Sequence, residues 1–158
     1  MKASAATEPV SENVAMWWVT CDAGHRHWGR YGGAGLLIRC GEAYLLQLRA
    51  AWTHHGGTWG IPGGARHPGE EAYAAACREA VEEMGPLPPL ARLGAVTDDH
   101  GGWAYVTYLV ATAERFKPHG SAETAAHAWV TRGEMAAMTL HPGLAASPAI
   151  HLLTDGAA

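Results

Sequence analysis

The chain has 158 residues, of which 48% are hydrophobic and 16% charged; this fits one packed domain and argues against general disorder. Its 11 basic and 15 acidic side chains leave a formal net charge of -4, so charge gives no reason to expect a duplex nucleic-acid partner. No apolar stretch is long enough to span a bilayer, and three cysteines without paired spacing argue against a disulfide scaffold and fit a reducing, cytoplasmic compartment.

Residues 1–15 hold one lysine and no apolar run. They read as a flexible N-terminal arm rather than a secretory signal, ahead of a single domain over 16–155. Trp17-Trp18 reads as an anchor for that arm. In "CDAGHRH", Cys21, His25 and His27 offer a thiolate and two imidazoles, a set suited to zinc. A loop with solvent-facing histidines is the plainer reading.

"AGLLIR" and "AYLLQLR" are apolar on consecutive positions, and Cys40-Gly41-Glu42 separates them. This spacing predicts a hairpin in a sheet covered on both faces. A Gly-rich loop follows, with a short extended piece near Trp59 to Pro62. His54-His55 on that loop reads as a polar tip within reach of a ligand. A helix is predicted from about Glu70 to Met84, and "PLPPL" ends it, because proline lacks an amide donor. "ARLGAVTDD" and "WAYVTYLVATAE" predict two strands joined through "HGG", and "AAHAWV" predicts a shorter one. Thr131 and Glu134 have capping-box spacing ahead of a short helix, and Ser147-Pro148 opens a last one. Mixed strands with a few helices predict an α/β fold with helices on both sides of the sheet.

The helix carries the chemistry. At about 100° per residue, Glu79, Glu82 and Glu83 share one face. Ala72, Ala75 and Ala76 are expected on that same accessible side. Tyr73, Cys77, Ala80, Val81 and Met84 are expected on the side packed against the sheet. Three acids at a helix C-terminus repel one another and oppose the helix dipole, by roughly 0.3–1 kcal/mol each for the dipole. Arg78 can pair with Glu82 at i,i+4 but does not neutralise the set. A hard divalent cation would reverse the balance, and its retained waters would leave room for phosphates; on the charge pattern alone, a solvated charged helix is the plainer reading. Gly63 and Gly64 let the backbone turn so that a carbonyl can face the helix. Buried Cys77 reads as a small core residue.

Gly64, five residues, Glu70, seven residues and then Arg78-Glu79-Ala80-Val81-Glu82-Glu83-Met84-Gly85 resembles the box of the Nudix family. Ala80 and Pro86 stand where that pattern has aliphatic residues; both affect packing rather than chemistry. "TWGIPGG" resembles the family's lead-in, and "AETAAHAWV" its later strand. The resemblance covers roughly residues 33–138. It implies a Nudix-type α/β/α sandwich with a mixed central sheet. It implies a Mg²⁺- or Mn²⁺-dependent hydrolase that cleaves a nucleoside diphosphate linked to another moiety. The candidates are a nucleoside triphosphate, an oxidised nucleotide such as 8-oxo-dGTP, or another nucleoside diphosphate derivative.

Carried over by position, the Gly63 carbonyl, Glu79, Glu82, Glu83 and Glu123 are the implied metal ligands. Glu79, Glu82 and Glu83 are the implied catalytic acids. Gly64, Glu70, Arg78 and Gly85 are implied to be structural. The general base is Glu79 or one of the loop residues Asp98, Asp99 and His100. Arg49 is implied to hold substrate phosphates. Trp59 and Trp103, with Trp52 nearby, are candidates to stack on a base. The alternative is a Nudix-fold sensor that binds a nucleotide without hydrolysing it. Monomer and homodimer are both left open.

Overall fold

The computed structural model describes residues 17–155; the N-terminal arm expected over 1–15 lies outside them. Among the described residues nine strands run as β1 (Trp18–Thr20), β2 (Arg26–Trp28), β3 (Gly33–Cys40), β4 (Ala43–Arg49), β5 (Trp59–Gly60), β6 (Gly63–Ala65), β7 (Ala91–Asp99), β8 (Ala104–Ala111) and β9 (Thr124–Thr131). Four helices are α1 (Ala72–Met84), α2 (Arg132–Ala136), α3 (Pro142–Ala146) and α4 (Ala149–Asp155). Among the described residues no helix is long and apolar enough to cross a membrane.

The main sheet has the order β5-β4-β3-β8-β7, with β6 also on β3 and β9 on β4. The β3–β8 pair is parallel and the other pairs are antiparallel, so the sheet is mixed. Alternate side chains of its central strands enter two separate cores. Leu36, Ile38, Leu45, Tyr108 and Val110 meet Ala76, Ala80 and Met84 of α1. Leu37, Leu46 and Leu109 meet Met135, Leu144, Ile150 and Leu153 from α2, α3 and α4. The continuous apolar runs follow from this, because a sheet covered on both faces buries both sides of the pleat. The α/β/α sandwich is as expected.

α1 begins at Ala72, two residues later than the sequence indicates, and stops at Gly85, where φ is 79°. Its orientation corrects the expected faces. Ala75 and Ala76 are fully buried, while Val81 is exposed. The alanines let the helix lie close on β3, and this rolls the Glu79–Glu83 edge inward against β6 rather than outward to water. The capping box at Thr131 and Glu134 forms as predicted, with the Thr131 amide donating to Glu134 Oε2 at 2.7 Å.

The sequence reading placed no strand at β6, and two further regions differ from it. Residues 18–28 form a β1–β2 hairpin rather than a loop, with Trp18 opposite Trp28 and their rings edge-on at 5.3 Å. Three-residue strands carry no readable alternation. α3 is the other; it opens on Pro142, and the His141 imidazole accepts from Gly143 N–H at 3.0 Å.

Candidate active site

β6 is packed so tightly that Gly63 leaves no room for a side chain and a Cβ on Gly64 would displace Glu79; both glycines lie in this strand rather than in the tight turn expected of them. A Cβ on Gly63 would collide with the Tyr105 hydroxyl and stand 2.6 Å from the Ala34 carbonyl. One on Gly64 would stand 2.5 Å from the carboxyl carbon of Glu79. The acids of α1 therefore lie directly against main chain. The Gly63 amide donates to Glu83 Oε2 at 2.9 Å, and Gln47 Nε2 donates to the same oxygen at 3.4 Å.

Arg78 organises the remaining carboxylates. Its Nε and Nη2 grip the two oxygens of Glu70 at 2.9 and 3.0 Å, and Nη2 also donates to the Ala65 carbonyl at 2.9 Å. Nη1 reaches Glu79 Oε1 at 3.0 Å and Glu82 Oε1 at 3.2 Å. The i,i+4 pair with Glu82 is present as expected, but the two-point bond to Glu70 is the main one. It holds the Glu70 carboxyl down to about 2 and pushes the guanidinium above its ordinary range.

Burial acts in the opposite direction on the other two acids. Glu83 is pushed up to about 7, first by desolvation and then by the nearby Glu79 charge, against the opposing Gly63 hydrogen bond. Glu79 is also raised by burial, with Arg78 opposing. Glu82 is more than half exposed. No basic residue occupies the last turn of α1. Glu79, Glu82 and Glu83 offer hard oxygen donors with too little positive charge around them, a chemistry that suits Mg²⁺ or Mn²⁺, although among the described residues the side chains that converge to within 4.8 Å are Cys21, His27 and His100 and not these acids.

A cleft of about 540 Å³ opens beside β6, and Glu79, Glu82 and Glu83 are not among its lining residues. Gly63, Gly64, Gln47 and Tyr105 line it next to the acids. Arg49, His54, His55 and His141 line one side, while His27, Asp98, His100 and Trp103 line another. Arg49 is held by its Nε donating to the His54 carbonyl at 2.8 Å. Burial, then the neighbouring His55, and then the Arg49 charge push His141 down to about 4; the same charge also favours ionised Glu83. Trp103 donates its indole N–H to the Gly29 carbonyl at 2.9 Å and stacks on His27.

The sequence candidates divide accordingly. Arg49, Trp103, Asp98 and His100 line the cleft together with Gly63 and Gly64 of β6. Trp59 instead packs against the second core, and its amide donates to the Thr139 carbonyl, so it is not a lining residue. Trp52 is 70% exposed and also lies outside the lining. Asp99 is exposed and accepts from the Gly101 amide. Glu123 is exposed on the turn before β9, where its carbonyl accepts from Ala50 N–H at 2.8 Å beside Arg49. His25 is exposed and does not join Cys21 and His27; His100 does.

Sequence reasoning missed Gln47, Tyr105 and His141. Gln47 had a signal, as an amide side chain set between leucines in "AYLLQLR".

A mixed sheet between helix layers, with a glutamate-bearing helix set against the Gly63-Gly64 strand, defines an α/β domain with an acidic helix edge beside a cleft. The NUDIX domain family model matches residues 30–149, and the chain belongs to the Nudix family. A Mycobacterium tuberculosis protein named "Putative 8-oxo-dGTP diphosphatase 3" is 42% identical over 144 residues, covering 82% of this chain. The chain spans 65% of that relative's length. The crystal structure of RenU, a Nudix hydrolase from M. smegmatis, superposes with a TM-score of 0.80 at 38% identity, covering 89% of this chain and 93% of that one. The NUDIX domain of Shewanella oneidensis NrtR, complexed with ADP ribose, shares the fold at a TM-score of 0.59 and 18% identity, covering 83% of this chain and 88% of its own.

Proposed function

We propose that the chain is a divalent-metal-dependent pyrophosphohydrolase of nucleoside triphosphates, with an oxidised purine nucleotide such as 8-oxo-dGTP as the leading substrate. One observation carries the reading: Glu79 and Glu83 are half-buried against the Gly63-Gly64 strand, short of positive charge, beside a cleft that holds Arg49. The name of the M. tuberculosis relative supports the choice of substrate.

The Gly63 carbonyl, Glu79, Glu82 and Glu83 would hold Mg²⁺ or Mn²⁺, with Glu123 a further candidate. Such an ion screens diphosphate charge and acidifies bound water. Glu79 takes the proton from the attacking water, a role suited to a carboxyl raised by burial. Arg49 holds phosphate oxygens by charge and hydrogen bonds. The edge of Trp103 borders the space for the base. Arg78 keeps Glu70, Glu79 and Glu82 in register and touches no substrate.

The test is a panel of nucleoside triphosphates, 8-oxo-dGTP and nucleoside diphosphate derivatives with Mg²⁺, with products identified by mass spectrometry. Pyrophosphate release from 8-oxo-dGTP, abolished in Glu82→Gln, is expected. If no nucleotide turns over yet one raises the melting temperature, the enzyme reading is replaced by that of a binding sensor.

A further inference from the structure

The turn of the β1–β2 hairpin and the turn between β7 and β8 are joined by a backbone hydrogen bond, from Asp22 N–H to the Gly101 carbonyl at 2.9 Å. This junction gathers Cys21, His27 and His100, with one donor atom from each within 4.8 Å of the others. Cys21 is a free thiol and only 4% exposed. Nε2 of His27 is buried without a hydrogen-bond partner, and an orphan of this kind is costly unless something binds it. The His27 ring is stacked on Trp103, with centroids 4.0 Å apart and planes at 7°, which fixes its plane and leaves the in-plane nitrogen at the edge. Nε2 of His100 lies 3.2 Å from Asp98 Oδ2, so Nδ1 is the nitrogen left for a ligand. A carboxylate behind an imidazole is the arrangement that orients a metal-bound histidine.

We propose that Cys21, His27 and His100 form a zinc site, separate from the acids of α1, that pins the β1–β2 hairpin to the β7–β8 turn at the wall of the cleft. The donor set selects the metal: a thiolate and two imidazoles suit Zn²⁺, whereas Mg²⁺ and Mn²⁺ prefer oxygen. The charges also balance, since the Cys21 thiolate and the Asp98 carboxylate offset the dication. Tetrahedral zinc with Zn–S of about 2.3 Å and Zn–N of about 2.0 Å needs donors roughly 3.3–3.7 Å apart. Side-chain rotation of Cys21 and His100, on the two adjoining turns, closes that difference while His27 stays stacked on Trp103. Three protein ligands leave the fourth position to water. This site does not depend on what the cleft hydrolyses.

Untagged protein from zinc-supplemented culture, assayed for metals by mass spectrometry, is expected to hold about one zinc per chain. Cys21→Ser should lower that content at least about tenfold, while the Glu82→Gln/Glu83→Gln double variant retains it. If Cys21→Ser does not fold, the cobalt-substituted wild-type protein decides. A thiolate-to-cobalt charge-transfer band with strong tetrahedral absorption supports the site. A weak six-coordinate oxygen-type spectrum, zinc-free wild-type protein, or undiminished zinc in folded Cys21→Ser would each overturn it.

Discussion

Arg78 holds both oxygens of Glu70, with Nε 2.9 Å from Oε2 and Nη2 3.0 Å from Oε1, and this bond ties the loop before α1 to the face that carries the acids. The two residues are eight apart and both largely buried, so the pair is worth more than a surface bridge. Replacing Glu70 by Gln should cost about 1–3 kcal/mol at neutral pH, read as a lower denaturation midpoint. The pH dependence has a definite sign. The folded carboxyl sits near 2 against an ordinary 4.5, so its contribution is complete above about 4.5 and lost as pH falls toward 2. The gap between wild type and Glu70→Gln should narrow over that window; a gap that does not change with pH would remove the ion pair from the account.

Arg78→Lys tests the planar fork separately from the charge. A lysine cannot grip two Glu70 oxygens side-on while reaching Glu79 and Glu82. Turnover should fall about tenfold or more. KM should change less than kcat, because Arg78 positions the acids and does not touch substrate.

Most of the fold was legible because its strands bury both faces, which leaves the unbroken apolar runs at Leu36–Ile38 and Tyr44–Leu46. The acids on α1 were legible too, through their spacing. Their orientation was not. Placing three charges on one face suggests a wet face, but close packing by Ala75, Ala76 and Ala80 turns the Glu79–Glu83 edge into the protein. The junction of Cys21 with His100 was also invisible, because it depends on a backbone contact between turns about eighty residues apart in sequence. Trp59 shows the reverse error, since a tryptophan close to the motif in sequence belongs to the core.

Gly64→Ala probes the close approach of main chain and carboxylate. The new methyl would stand 2.5 Å from the Glu79 carboxyl carbon, so that side chain must move. Glu79 is the proposed base, and a displacement of about 1 Å can cost on the order of 100-fold in rate. Circular dichroism should remain native while Mg²⁺-dependent turnover collapses. Turnover near the wild-type level would mean that the position of Glu79 is not critical.

Arg49→Ala addresses the substrate end of the cleft. Its guanidinium lines the cleft from the last residue of β4, held by the His54 carbonyl. If it grips phosphate oxygens, KM for a triphosphate should rise about tenfold and the dependence of KM on salt should weaken. The fold should tolerate the change, since the side chain is only partly buried. An unaltered KM would assign phosphate binding elsewhere.

Glu83→Gln separates stability from metal response. The wild-type carboxylate is buried, close to Glu79, and near the C-terminus of α1 with no basic residue in the last turn. Each of these disfavours its charge in the metal-free protein. A neutral amide of the same shape removes that cost and can still accept the Gly63 hydrogen bond. Metal-free Glu83→Gln should therefore melt several degrees above metal-free wild type at pH 8, since about 1 kcal/mol shifts a domain of this size by a few degrees. Saturating Mg²⁺ should raise the wild-type melting temperature and move the variant little, because the variant has lost a ligand. Thermal scans of both proteins with Mg²⁺ and with EDTA check both halves. A variant that melts lower in EDTA would mean that the Glu83 charge is already compensated by protein groups, and the case for a cation at that carboxylate would fail.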